Sequence, residues 1–136
     1  MKSGIHAGAI AGVIAGIVGV VCSDIFGNLG IIEIVGGPEI WDFSLMVLFS
    51  IAFTTLALIW GLIFGAIYTI VYDSIPRKGV IKGLLFGLII WVIKDISTGS
   101  FLYLVNLEYP SAIRLILIGL PMWIAYGLVL GYLYKK

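Results

Sequence analysis

The sequence predicts an all-α integral membrane protein, a four-transmembrane-helix bundle, and three observations carry that prediction. The 136 residues are 62% hydrophobic and only 11% charged, against roughly 45–50% apolar and about 25% charged in a soluble domain. The apolar residues gather into four long stretches, each near or above the ~20 residues that cross a bilayer as a helix. The basic residues cluster at one end of successive stretches, as they do when connections alternate between the two sides of a membrane. The length allows a single domain.

The first span is expected over about 5–26, after Lys2. A cleaved signal peptide ending near Val21 and Ser23 is the alternative reading of this stretch, but its glycine spacing recurs later in the chain and argues for a permanent helix. The second span covers about 44–72 and has no charge between Asp42 and Asp73. It is longer than a minimal crossing and should tilt or project past the bilayer. The third covers about 79–104. The fourth covers about 112–134, and Pro121 within it removes a backbone donor and should kink the helix.

Direction follows from the bases, which resist translocation. Of the eight lysines and arginines, all but Lys94 and Arg114 lie before the first span, around the second connection or after the fourth span. Glu33, Glu39, Asp42 and Glu108 mark the other two connections. Both termini are therefore expected in the cytoplasm, with the chain multi-pass in the cell membrane. Tyr68, Tyr72, Tyr132 and Tyr134 fall where an inner aromatic belt is expected.

The chain also resembles itself. Lys2-Ser3-Gly4 is followed by Gly8 and Gly12, and Arg77-Lys78-Gly79 by Gly83 and Gly87. Gly61, Gly65 and Tyr68 repeat at the same spacing as Gly127, Gly131 and Tyr134. This pattern predicts two tandem helical hairpins, 1–76 and 77–136, pointing the same way through the membrane.

Glycines four apart share one helix face. Gly4, Gly8, Gly12 and Gly16 form such a face on the first helix, with Gly61 and Gly65, Gly79, Gly83 and Gly87, and Gly127 and Gly131 on the others. Small residues let backbones approach closely, which is the main attraction between helices in lipid. The faces serve either packing within the chain or association with another copy.

Four charges fall within the spans or at their outer ends. Counted along the helix from Val80, Lys94 and Asp95 lie roughly 21–23 Å in, inside a hydrocarbon core of about 30 Å. Asp24 and Arg114 lie toward the same side. An unpaired charge at mid-span costs at least ~2.5 kcal/mol, so the four should meet. Neighbours on a regular helix point about 100° apart, which suggests Lys94 with Asp24 and Asp95 with Arg114. Ser97, Thr98, Gly99 and Ser100 follow and are candidates to break the third helix. Trp60, Trp91 and Trp123 sit near mid-depth, where they fill space opposite glycines or line a cavity for an apolar ligand.

No nucleophile–base pattern, phosphate loop or dinucleotide fingerprint is present, so neither an enzyme nor a cofactor is expected. A single cysteine, Cys22, and a single histidine, His6, supply no metal site. Nothing marks a nucleic-acid surface. The mid-helix acid that small multidrug exporters need in their first span is missing from Gly12 to Gly19. Two classes remain. The first is a structural or accessory subunit that associates through its glycine faces, as a homo-oligomer or in a larger membrane complex. The second is a small oligomeric channel or carrier for an ion, proton or small solute, using Asp24, Lys94 and Asp95.

Overall fold

The computed structural model describes residues 4–28, 43–106 and 109–134. Among them the chain is helical, with no strand. Helix α1 spans Gly4–Asn28 and α2 spans Phe43–Val71, ending in a 3-10 turn at Tyr72–Ser74. The third helix runs as α3 (Gly79–Trp91), a π turn (Val92–Ile96) and α4 (Ser97–Asn106), and α5 spans Tyr109–Leu133. The Ser97–Ser100 segment therefore continues the third helix and does not break it. Pro121 lies inside α5, which remains helical on both sides of it.

Three of these helices, over Gly4–Phe26, Val47–Ser74 and Leu115–Leu133, are long and apolar enough to cross a membrane. The third helix carries Lys82, Lys94 and Asp95, and those charges interrupt its apolar run. In lipid, polar groups have to be satisfied within the protein. On α2, Thr55 Oγ1 donates to the Ile51 carbonyl at 2.8 Å and Thr69 Oγ1 to that of Ala66 at 2.7 Å. Each hydroxyl is thus capped by its own helix.

Helix α1 packs along both α2 and α5, and α3 packs along α5. Two glycine seams set these distances. A methyl group on Gly8 would lie 2.6 Å from the Gly65 Cα, so α1 and α2 touch backbone to backbone. A methyl on Gly83 would lie 2.5 Å from the Gly131 Cα, so α3 and α5 do the same. Gly4, Gly12 and Gly16 extend the first seam against Thr69, Gly65, Gly61, Ala57 and Thr54, while Gly87 extends the second against Gly127 and Trp123. Gly79 differs from the rest. Nothing stands within 4 Å of its absent side chain, but its φ of +56° is left-handed and favours glycine at the start of α3.

Where α2 meets the third helix, large rings fill the gap. Tyr68, Tyr72, Phe86 and Tyr134 pack with ring centroids 4.9–5.4 Å apart. Tyr68 and Tyr134 are buried in the bundle, whereas Tyr132 is exposed. The buried core otherwise runs through Ala7, Ala11 and Ala15 of α1, Phe86 and Ile90 of α3, and Met122, Trp123, Tyr126 and Leu130 of α5.

Candidate functional site: an ion pair on a π turn

The charged pair sits on the one stretch of π helix among the described residues. A π turn closes hydrogen bonds from i to i+5 and holds more residues than an α turn, so consecutive side chains point less far apart. Lys94 and Asp95 lie within it, and the Lys94 Nζ donates to Asp95 Oδ1 at 2.9 Å. Asp95 is only 1% exposed, whereas Lys94 is 30% exposed.

Helix α5 completes the pocket for the carboxylate. The Trp123 indole N–H donates to Asp95 Oδ2 at 2.8 Å. One turn earlier, Gly119 lies flat under the same oxygen, and any side chain there would collide with it. Gly119 and Trp123 are four residues apart and share a face, so a single stripe of α5 supplies both the space and the donor. The Lys94 ammonium also lies 5.6 Å from the Trp123 ring centroid, within cation–π range. A turn back on the third helix, the Trp91 indole donates to the Ile116 carbonyl at 3.1 Å and fixes the two helices in register.

This arrangement corrects the pairing expected from the sequence. Lys94 takes its own neighbour Asp95 in place of Asp24, on a π turn that narrows the 100° separation assumed for a regular helix. Asp24 is exposed, and no ion pair joins it to Lys94. Arg114 belongs to α5, but its side chain lies outside the described residues, as do Glu33, Glu39, Asp42 and Glu108 entirely. The sequence reading missed Trp123 and Gly119 as partners of Asp95. A signal for the first existed: a buried indole N–H calls for an acceptor, and Asp95 is the acid at that depth.

Another cation of the third helix, Lys82, is buried. Lys82 is 7% exposed, donates to the Tyr72 carbonyl at 2.6 Å and lies 3.9 Å from the centroid of the Tyr72 ring. It caps the last turn of α2 and satisfies a carbonyl that the helix end leaves open. Across the bundle, the Tyr126 hydroxyl donates to the Gly61 carbonyl at 3.1 Å, tying α5 to the first glycine seam.

Comparison with family models, with curated proteins and with solved structures returns no match to this chain. The site must be interpreted from its own chemistry. Its acid and base neutralise each other, and both carboxylate oxygens are hydrogen-bonded. Among the described residues no three His, Cys, Asp or Glu side chains converge as a metal site would require.

Proposed function

We propose that this chain is a structural or accessory membrane protein, acting as a homo-oligomer or as a subunit of a larger membrane complex. In this reading four helices cross the cell membrane as two parallel hairpins, 1–76 and 77–136, with both termini cytoplasmic. The recurrence of one seam geometry, Gly8 on Gly61 and Gly65, then Gly83 on Gly127 and Gly131, supports the hairpin repeat. Exposed Arg77 and Lys78 at the α2–α3 connection support the orientation.

One observation carries the choice of a scaffold over a conduit: Asp95 is buried, and each of its oxygens already accepts a hydrogen bond. A group that relays protons or ions needs a polar approach, whereas Asp95 is 1% exposed and its oxygens are held by Lys94 and Trp123. A partly satisfied buried charge would destabilise the bundle, while a paired and hydrogen-bonded one fixes which helix faces meet.

The glycine faces close on each other within the chain, so a partner meets other surfaces. Only 11% of the α2 span is buried, and its outward face presents Ile51, Leu56, Ile59, Ile63 and Ile70 to lipid or to a neighbouring subunit. Reconstitution in liposomes tests the reading. The parent protein and Asp95→Asn are both expected to pass protons and small ions no faster than protein-free liposomes. A flux in the parent that Asp95→Asn abolishes would overturn it.

A further inference from the structure

Between α1, α2, α5 and the π turn lies a cavity of about 60 Å³. Phe53 and Trp60 of α2 wall one side, Met122, Trp123 and Tyr126 of α5 the other, and Lys94 reaches its edge. Leu56 and Trp60, which also line it, are exposed on the lipid-facing side of α2. The cavity therefore opens sideways, toward the bilayer.

The lining restricts what can fill this space. At roughly 10–15 Å³ per water, the cavity would take about four to six waters, and a buried water needs two to four polar partners. The lining side chains with a hydrogen bond or ion pair are Lys94, Trp123 and Tyr126, and each already uses one donor, two of them on Asp95 and one on Gly61. Water alone is poorly held. A purely apolar occupant would leave the remaining Lys94 N–H donors without acceptors inside the membrane, at a cost. An anion fails for a different reason: Asp95, 2.9 Å away, already balances the Lys94 charge, and a second negative charge would be uncompensated in a low-dielectric site.

We propose that this cavity binds the ring end of an uncharged lipophile carrying a carbonyl oxygen, the chemistry of a quinone-type ring. The oxygen accepts from the Lys94 ammonium, the carbonyl edge of the flat ring enters between Phe53 and Trp60 on one side and Trp123 and Tyr126 on the other, and the rest of the ring and of the molecule extends past Leu56 into the bilayer. The enclosed volume admits only the leading atoms of such a ring, consistent with an occupant whose bulk stays in lipid. This inference does not depend on the scaffold reading, since a subunit with or without transport activity can hold a lipid-soluble ligand.

Thermal unfolding of the full chain in detergent, followed by circular dichroism, tests the site with three probes: tetramethylbenzoquinone, tetramethylbenzene and dodecanoate. The quinone is expected to raise the midpoint saturably, and the other two are not. Leu56→Trp, which plugs the mouth without touching Lys94, Asp95 or the glycine seams, should weaken the quinone response by about tenfold in concentration. Trp60→Leu removes a ring from the exposed rim and should weaken it in the same direction, so the test survives if the first variant fails to fold. Equal stabilisation by tetramethylbenzene overturns the contact to Lys94. Stabilisation by dodecanoate alone overturns the uncharged ligand. No response to any probe, or a quinone response unchanged in a folded variant, overturns the site.

Discussion

Replacing Gly83 with alanine sets two effects of opposite sign against each other. Alanine is the better helix former, by about 0.8–1.0 kcal/mol in a helix interior, so an exposed glycine would gain by the change. At position 83 the new methyl would lie 2.5 Å from both the Cα and the backbone nitrogen of Gly131. Ordinary contact begins near 3.4 Å, so α5 must retreat by roughly 1 Å along the seam. The obstacles are backbone atoms, which cannot rotate away as a side chain would. Overpacking of this kind typically costs 1–3 kcal/mol, and here it also opens the close contact that holds helices together in lipid. With the helix gain subtracted, a net loss of up to about 2 kcal/mol is expected. Gly83→Leu should cost more. Equilibrium unfolding by a denaturing detergent in mixed micelles, followed by circular dichroism, gives the difference directly. Stabilisation of Gly83→Ala by the propensity term alone would refute the close seam between α3 and α5.

The ion pair makes two further predictions, read by the same unfolding assay. Asp95→Asn leaves the Lys94 ammonium without its counter-charge and is expected to cost about 3–5 kcal/mol, whereas Lys94→Met with Asp95→Leu removes both charges together and should cost less than the single change. A double variant that is the less stable of the two would exclude mutual compensation. Asp24→Asn is expected to fall within about ±0.5 kcal/mol of the parent, because Asp24 is exposed and makes no ion pair with Lys94; a loss of several kcal/mol would restore the pairing that the sequence suggested.

The sequence by itself determined the helical class and the long apolar helices, because composition and the length of an uncharged run depend on nothing distant in the chain. It also determined which glycines share a face, since a spacing of four is local geometry. Tertiary structure decided what those faces meet. Gly8 lies on Gly61 and Gly65 and Gly83 on Gly127 and Gly131, and no periodicity within one helix names its neighbour. It decided likewise that Tyr68 goes inside, against Phe86 and Tyr134, although a tyrosine near a helix end reads equally well as an interfacial anchor. The charged pair shows the limit most sharply. Its place on the third helix was legible from the sequence, but its partners were not, because a π turn replaces the regular winding and α5 supplies the rest of the pocket. The donor and the space for Asp95 come from Trp123 and Gly119, brought beside it only when α5 packs on the third helix.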